Sequence, residues 1–405
     1  MRFGLDRLPS LPALVSSLRS RRVGLLAHPA SVDGRLRHIS TVLEELAVRP
    51  RVIFGPEHGY GGEAQDMIGV PDARDEATGA PIVSLYGETE DALAPTERWL
   101  REIDVLLVDL ADVGSRYYTY VWTALLAARA AAKANVHTLI LDRPNPIGGD
   151  ASQTEGALQK AGFFSFVGLE PLPIRHALTL GEIVAHFANQ DGLPLGQDGA
   201  VSVVPVEGWE RRALASAWDR PFVMPSPNMP TLDTALVYPG GCLIEGTNLS
   251  EGRGTTRPFE LVGAPFLDGK RLARELAATG LPGFVARPLT FLPTFQKHAG
   301  TICGGVQIHV TDAAAFRPVA TYTALIALAH AQAQGEFRFR TERYEFIDHI
   351  PALDLLTGSS EARLAIERGE PARDIAESVS RVDADWGSVR EAALRARGLA
   401  SVVED

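Results

Sequence analysis

The sequence contains very little cysteine. Cys242 and Cys303 are the only two cysteines in 405 residues, so the chain can build neither a disulfide framework nor a cysteine-based metal site, and we expect both to be small core residues. Basic residues are also fewer than acidic ones: 39 Lys and Arg stand against 50 Asp and Glu, a formal net charge of −11. This excess of negative charge argues against nucleic acid or an anionic membrane as the main partner.

Long apolar segments are absent as well. No run approaches the roughly 18 apolar residues of a membrane span, and residues 1–7 lack the apolar stretch of a secretion signal. We therefore expect a cytoplasmic protein, provided that no segment precedes Met1. With 45% hydrophobic and 22% charged residues, the composition is typical of a globular protein of one or two large domains.

Short apolar runs in the first part of the chain end at polar residues. Four such runs end, in chain order, at His28, at Glu57 with His58, at Asp109 and at Asp142. Ligands of open α/β sheets bind in the crevice outside the carboxyl ends of the strands. The pattern therefore predicts an active site at these four strand ends.

The apolar runs themselves predict the fold. Those at 51–55, 82–85, 104–109 and 138–142 are almost uninterrupted, as in strands of a parallel sheet that is covered on both faces. Helical patterns alternate with them, at 35–48, 120–134 and 180–189, and Thr179 with Glu182 forms a capping box for the last of these. We predict a doubly wound, Rossmann-like α/β domain over residues 1–230.

The proline-rich segment 224–230 cannot be helix interior, and we place the domain boundary there. The remaining elements alternate less regularly, with helices at 269–278 and 314–334 and strands at 284–292 and 304–311. A smaller α+β domain over residues 231–405 is the prediction.

Glu57 is the first candidate for chemistry. It follows Pro56 at a strand end, beside apolar Phe54. A carboxyl group in such surroundings stays protonated more readily, which suits a general acid. The structural alternative is a carboxylate that caps a helix or pairs with an arginine. We favour catalysis, because the adjacent His58 and glycines have no packing role of their own.

Two further strand ends offer alternatives of the same kind. Asp112 and Arg116 are four residues apart at the start of a helical pattern, where they can form an ordinary i,i+4 salt bridge or a sugar or anion site. Asn145, in a proline-flanked turn after Asp142, either holds the backbone or contacts a ligand. Segment 245–257 is dense in Gly, Glu, Asn and Arg, and we interpret it as a substrate-facing loop rather than a solvated connection.

Cofactor motifs do not fit. Residues 59–64 match a loose dinucleotide pattern, but Glu57 and Glu63 would repel a pyrophosphate and no apolar-periodic helix follows. No phosphate-binding P-loop, serine elbow or zinc-protease motif is present. A metal site from His28, His58, His176 and Asp109 has no compact spacing. We expect no cofactor and no metal.

Several motifs together resemble one known family, the NamZ-like exo-β-N-acetylmuramidases, which are bacterial glycoside hydrolases of cell-wall recycling. The similar segments are 55–59 (Gly-Pro-Glu-His-Gly), 84–87 (Ser-Leu-Tyr-Gly), 112–120 (Asp-Val-Gly-Ser-Arg-Tyr-Tyr-Thr-Tyr), 141–146 (Leu-Asp-Arg-Pro-Asn-Pro), 238–240 (Tyr-Pro-Gly) and 245–256 (Glu-Gly-Thr-Asn-Leu-Ser-Glu-Gly-Arg-Gly-Thr-Thr). The resemblance covers residues 20–400, nearly the whole chain.

The resemblance implies a Rossmann-like domain, a smaller second domain and a cleft between them. It also implies release of N-acetylmuramic acid from the non-reducing end of peptidoglycan fragments, with Glu57 as the favoured catalytic residue. Two features differ from the family pattern. Family members often carry a secretion signal, and relatives have Gln where this chain has Ala111.

A glycosidase of this kind needs two carboxyl groups at the scissile bond, or one and the acetamido group of the substrate. We predict Glu57 as general acid, with Asp112, Glu245 or Glu251 as the second carboxylate. Arg116 or Arg253 would bind the lactyl carboxylate of muramic acid. The predicted contacts with the muramic-acid glycan or muropeptide are His58, Arg116, Tyr118, Asn145, Asn248, Glu251 and Arg253, with Tyr117 and Trp122 as further candidates for packing on the sugar. A non-catalytic glycan-binding protein and a metal-dependent hydrolase are the alternatives.

Overall fold

A computed structural model describes residues 1–62, 73–76 and 78–402. Its strands are β1 (Val23–Ala27), β2 (Pro50–Gly55), β3 (Ala73–Arg74), β4 (Pro81–Ser84), β5 (Val105–Asp109), β6 (His137–Leu141), β7 (Val201–Val204), β8 (Leu261–Ala264), β9 (Phe284–Phe291) and β10 (Cys303–Val310). Its helices are α1 (Gly4–Arg7), α2 (Pro12–Ser20), α3 (Ile39–Glu45), α4 (Glu97–Leu100), α5 (Tyr120–Lys133), α6 (Leu180–Gln190), α7 (Leu232–Gly241), α8 (Gly269–Ala278), α9 (Pro318–Gln332), α10 (Ala352–Thr357), α11 (Glu361–Glu367), α12 (Ala372–Ser380) and α13 (Trp386–Ala400).

The main sheet has seven strands in the order β3-β4-β2-β1-β5-β6-β7. All neighbours pair in parallel except β3, which is antiparallel to β4 at the edge. Alternate side chains of each strand face opposite sides, as pleating requires. Leu25 of β1 belongs to the core with α2 and α3, whereas Leu26 belongs to the core with α5 and α6. The sheet is therefore covered by helices on both faces, and the predicted doubly wound fold is confirmed.

The predicted start of one helix is wrong, because side chains there hold the backbone in a turn. The pattern at 35–48 predicts a helix throughout, but α3 begins only at Ile39. Asp33 accepts hydrogen bonds from the backbone N–H groups of Arg35 and Arg37, which holds this segment in a turn. The His38 side chain then caps the helix. The capping box of Thr179 and Glu182 at the start of α6 is present as predicted.

The second part of the chain contains a three-stranded antiparallel sheet, in the order β8-β10-β9, with helices packed against it, and the predicted α+β architecture is confirmed. Helix α7 is not among the predicted helices, and it contains Pro239 followed by two glycines. Thr231 caps this helix, and Pro239 is in its last turns. Gly240 lets α7 approach α9: a Cβ there would lie 2.0 Å from the carbonyl oxygen of Pro318.

One hydrophobic cluster extends through both parts. It includes Leu26 and Val121 of the first part together with Val237, Val262 and Leu325 of the second. The boundary between residues 230 and 231 stays a prediction. Among the described residues, no helix is both long and apolar enough to cross a bilayer.

A buried carboxyl group at the end of β6 predicts a pH dependence of stability. Asp142 accepts hydrogen bonds from the hydroxyl of Thr179 and the N–H of Gly181, and burial, followed by the nearby charge of Glu182, raises the pKa of Asp142 to about 7. Between about pH 4 and pH 7 the folded protein therefore keeps a proton that the unfolded chain has released. Since the folded state binds more protons there, the free energy of unfolding falls as the pH rises.

We expect this group to lower the free energy of unfolding by roughly 1 to 3 kcal/mol across that window. Asp142→Asn resembles the protonated carboxyl and should flatten the dependence. Urea unfolding of the wild-type protein and the variant at pH 5, 6 and 7 measures how the free energy of unfolding depends on pH. Equal slopes for the two proteins would show that Asp142 is ionised throughout.

Candidate active site

A cleft-like cavity that encloses about 480 Å³ of empty space, open solvent included, lies beyond the carboxyl end of β2. Residues from distant parts of the chain form its wall. The wall residues with polar or ionisable side chains include Glu57, His58, Tyr118, Thr119, Ser226, Asn228, Tyr238, Glu245, Arg253, Tyr344 and Glu345.

A tight turn directs Glu57 into this cavity. Strand β2 ends at Gly55, and the N–H of Gly59 donates to the carbonyl of Pro56. His58 and Gly59 both have positive φ. A Cβ on Gly55 would lie only 2.4 Å from the backbone nitrogen of Tyr60, so this turn needs the glycine of the Gly-Pro-Glu-His-Gly motif.

Glu57 is buried, with 5% of the surface of the residue exposed. The hydroxyl of Thr119 donates to Glu57 Oε2 over 2.7 Å. The hydroxyl of Tyr120 is shared between the backbone oxygens of Pro225, at 3.0 Å, and Glu57, at 3.3 Å. The start of α5 therefore holds both the side chain and the backbone of this residue in place.

Glu245 brings a second carboxyl group to the same cavity from the other part of the chain. The Nη2 of Arg253 donates to Glu245 Oε1, and the hydroxyl of Tyr344 donates to Glu245 Oε2, each over 2.7 Å. Two charge-assisted hydrogen bonds therefore orient this carboxylate and stabilise its negative charge.

Glu251 is behind this pair rather than in the cavity wall. Its carboxyl oxygens lie 3.3 Å from Arg253 Nε and 2.9 Å from Lys297 Nζ. Burial raises the pKa of Glu251, but the charges of Lys297 and Arg253 outweigh burial and leave the pKa below its usual value. Glu251 thus helps to position Arg253.

Segment 245–257 is mostly buried, so the alternative of a solvated connection is wrong. Thr247, Leu249 and Glu251 are each at most 3% exposed. Glu245 and Arg253 line the cavity, whereas Asn248 does not. Asn248 bonds to the backbone at 336 and 338 and so joins two loops.

The aromatic residues divide between cavity wall and core. Tyr118, Tyr120 and Tyr238 line the cavity, and their rings meet edge to face at centroid distances of 4.8 to 5.9 Å. Burial raises the pKa of all three hydroxyls, which therefore stay neutral. Tyr117 also lines the cavity, but its hydroxyl donates to the carbonyl of Pro239. Trp122 is fully buried in the core, away from the sugar face we predicted for it.

Arg116 does not reach the cavity, which contradicts its predicted contact with a substrate carboxylate. Its guanidinium is fully buried and donates to the carbonyls of Ala157, Leu172 and Leu356 and to Gln159. Burial lowers the pKa of Arg116 to about 10. The alternative salt bridge to Asp112 is not formed either, because Arg116 joins backbone segments from both parts of the chain.

Asp112 and Asn145 are likewise hydrogen-bonded within the fold. Asp112 Oδ2 accepts from the N–H of Gly114 and lies 3.3 Å from His176 Nε2. Asn145 donates to Leu178 and accepts from Ile147. Gly114 has a φ of +81°, and a Cβ there would lie 2.4 Å from the Asn145 amide oxygen. Neither Asp112 nor Asn145 lines the cavity with Glu57.

The prediction that four strand ends share one site is wrong for three of them. The Nε2 of buried His28 accepts from the N–H of Ala111, and burial lowers the His28 pKa well below its usual value. Asp109 is paired with Arg143, and Asp142 bonds to the start of α6. Only the end of β2 delivers its polar residues to the cavity.

The topological switch point, where such sheets usually bind ligands, lies between β1 and β5. The crevice there is mainly apolar, and the proline-rich connection covers it with Pro221, Phe222 and Pro225. A few residues farther on, Ser226 and Asn228 of the same connection line the cavity with Glu57. The sequence predicts only a domain boundary in this segment, not a contribution to the cavity.

Sequence reasoning missed Glu345. It is 3% exposed, lines the cavity and accepts a hydrogen bond of 3.2 Å from the hydroxyl of Tyr86. Glu345 and Phe346 are the central residues of a hairpin turn in which Tyr344 and Ile347 exchange both backbone hydrogen bonds. Both have positive φ, 44° and 71°. Such turns favour Asn and Gly, so the sequence carries no signal for this one.

Among the described residues, no three His, Cys, Asp or Glu side chains are grouped so that they could hold a metal ion. The proposed set of His28, His58, His176 and Asp109 is therefore not assembled. The Nδ1 of His176 accepts from the N–H of Leu178, which leaves this ring bonded within the fold.

Family models match both parts of the chain. The N-terminal model of the exo-β-N-acetylmuramidase NamZ matches residues 23–233, and the C-terminal model matches residues 236–395. The peptidoglycan β-N-acetylmuramidase NamZ of Bacillus subtilis (strain 168) is 39% identical over 389 residues, which cover 96% of this chain and 89% of that protein.

Two solved structures from Bacteroides fragilis, both of DUF1343 family proteins, have the same fold. One superposes with a TM-score of 0.83 at 28% identity and covers 97% of both chains. The other superposes with a TM-score of 0.70 at 25% identity and covers 98% of both. The chain belongs to the family of exo-β-N-acetylmuramidases named NamZ.

Proposed function

We propose that this protein is a glycoside hydrolase that releases N-acetylmuramic acid from the non-reducing end of peptidoglycan fragments. Besides the family membership, one observation supports this most directly. Glu57 and Glu245, from the two parts of the chain, present their carboxyl groups to one cavity. Glycosidic bonds are hydrolysed between such paired carboxyls.

In this mechanism Glu57 is the general acid. Its Oε2 accepts from Thr119, and in the reaction its carboxyl proton passes to the oxygen of the leaving sugar. The Thr119 bond and the turn at Gly55 fix the direction of this transfer. A positioned acid typically accelerates such a step by about 10²- to 10⁴-fold.

Glu245 has the complementary role. Arg253 and Tyr344 orient it through hydrogen bonds, as is needed of a carboxylate that stabilises the oxocarbenium-like transition state or activates the attacking group. That group is either water or the acetamido oxygen of the substrate. We assign no direct part in the reaction to Glu251 or Asp112, because neither lines the cavity with Glu57.

Arg253 gives the cavity its selectivity for an acidic sugar in this proposal. It is the only Lys or Arg among the described residues of the cavity wall. We expect Arg253→Gln to weaken binding of N-acetylmuramic acid by roughly 10-fold or more, since a charged hydrogen bond is lost, and to weaken binding of N-acetylglucosamine much less. Titration calorimetry with both sugars measures this. Equal losses would mean that Arg253 acts only through Glu245.

Hydrolysis of para-nitrophenyl β-N-acetylmuraminide tests the function itself. We expect release of para-nitrophenol from this substrate, little from the N-acetylglucosaminide, and no effect of EDTA. Binding of N-acetylmuramic acid without hydrolysis would instead identify a glycan-binding protein. Loss of activity in EDTA would identify a metal-dependent hydrolase.

A further inference from the structure

The turn at Tyr344–Ile347 places a third carboxyl group in the cavity, in a backbone conformation that its residues disfavour. Neighbouring residues of the turn have different partners: Tyr344 donates to Glu245, whereas Glu345 accepts from Tyr86. Glu345 and Glu245 are therefore held by different hydrogen-bond partners, although both line the cavity. Strained backbone of this kind persists where the surroundings enforce it, and it is common at functional sites.

Aromatic packing is what holds the turn. The rings of Tyr86, Phe166 and Phe346 contact one another, with centroid distances of 5.8 to 6.2 Å for the three pairs. Phe346 is thus anchored against the loop after β4, and Glu345 is presented from a rigid support. A rigid support suits a residue that must recognise its ligand by direction.

The chemistry of the substrate limits what Glu345 can bind. An ionised carboxylate only accepts hydrogen bonds. On a β-linked N-acetylmuramic acid, the donors are the 4-hydroxyl, the 6-hydroxyl and the acetamido N–H, while the lactyl carboxylate at C3 would be repelled. Glu57 and Glu245 act at C1, and C4 is the ring carbon farthest from C1.

We propose that Glu345 accepts a hydrogen bond from the 4-hydroxyl of the terminal sugar and so restricts the enzyme to chain ends. Inside a glycan, O4 forms the next glycosidic bond and has no proton to donate. An internal residue would therefore bring an ether oxygen and a further sugar against a buried carboxylate and its aromatic support. This inference rests on the proposed muramidase activity and assigns the residue that makes it exo-acting.

A thermodynamic cycle that combines a variant of Glu345 with a substrate lacking one hydroxyl tests the proposal. We would measure kcat/KM of the wild-type protein and of Glu345→Gln on para-nitrophenyl β-N-acetylmuraminide, its 4-deoxy analogue and its 6-deoxy analogue. We expect the wild-type protein to lose about 10- to 100-fold on the 4-deoxy substrate, as for a lost charged hydrogen bond. The variant should lose a similar factor on the parent substrate and little more on the 4-deoxy analogue.

The proposal would be overturned if the losses of kcat/KM from Glu345→Gln and from the 4-deoxy substrate were additive. It would also be overturned if only removal of the 6-hydroxyl failed to add to the loss in the variant. If the wild-type protein cleaves no muraminide at all, it is the proposed function that fails. Exposed Glu342, three residues earlier on the same segment, supplies the matched control: Glu342→Gln should behave as the wild-type protein on all three substrates.

Thermal stability separates recognition from a structural role. Asn tolerates positive φ better than Glu, so Glu345→Asn relieves strain in the turn. We expect the Tm of this variant to equal or exceed that of the wild-type protein while kcat/KM falls. A lower Tm together with unchanged discrimination against the 4-deoxy substrate would show that Glu345 only supports the fold.

Discussion

Glu57→Gln should reduce kcat by about 10²- to 10⁴-fold, because the amide cannot deliver a proton to the leaving oxygen. Gln keeps the size of the side chain and an oxygen that can accept from Thr119, so the turn after β2 should persist. Binding of N-acetylmuramic acid should therefore stay within a few-fold of the wild-type value. Steady-state assays measure kcat, and titration calorimetry on the same preparation measures binding of N-acetylmuramic acid.

A substrate with a better leaving group gives the sharpest control. If Glu57 protonates the leaving oxygen, a fluoride or dinitrophenyl muraminide, which needs less protonation, should recover much of the lost rate in Glu57→Gln. Near-normal turnover of an unactivated disaccharide by this variant would show that another group supplies the proton. Uniform loss on every substrate would assign Glu57 a role other than acid.

Arg116→Met should lower the free energy of unfolding by about 3 to 5 kcal/mol, since it leaves several buried acceptors without a donor. The side chain bonds to carbonyls at 157, 172 and 356, and its loss disconnects the two parts of the chain at a buried point. Denaturation in guanidinium chloride measures the change. Failure to obtain folded protein would be the extreme form of the same result.

Exposed Arg101 is the matched control, because it pairs only with Glu97 one helical turn away. Arg101→Met should change stability by less than about 1 kcal/mol. If Arg116→Met were equally mild but raised the KM for the muraminide, the original assignment of Arg116 to the substrate carboxylate would be correct after all.

The class of fold could be predicted from the sequence because its cause is local. A strand that is covered on both faces reads as an uninterrupted apolar run, and residues 105–109 and 137–141 show this plainly. The cap of α6 depends on side chains three residues apart, Thr179 and Glu182. Family motifs likewise pointed to Glu57, Glu245 and Arg253, which the fold brings to one cavity.

The division of polar residues between site and scaffold could not be predicted in this way. Asp109, Asp142 and Glu57 all follow apolar strands, and nothing local distinguishes them. Their roles depend on what other parts of the chain bring near. Arg143 neutralises Asp109, and the start of α6 surrounds Asp142, whereas Thr119 holds Glu57 at an open cavity.

The amino-acid sequence by itself thus determined the layered α/β fold, the family and the acid at the end of β2, because periodicity, capping and motifs act over short distances. Only the tertiary structure decided that Arg116 is a buried connector and that Glu345 lines the cavity with Glu57. Both outcomes depend on contacts across more than half of the chain, Arg116 with Leu356 and Glu345 with Tyr86. Such contacts follow from how packed elements meet, and that information is not contained in any single segment.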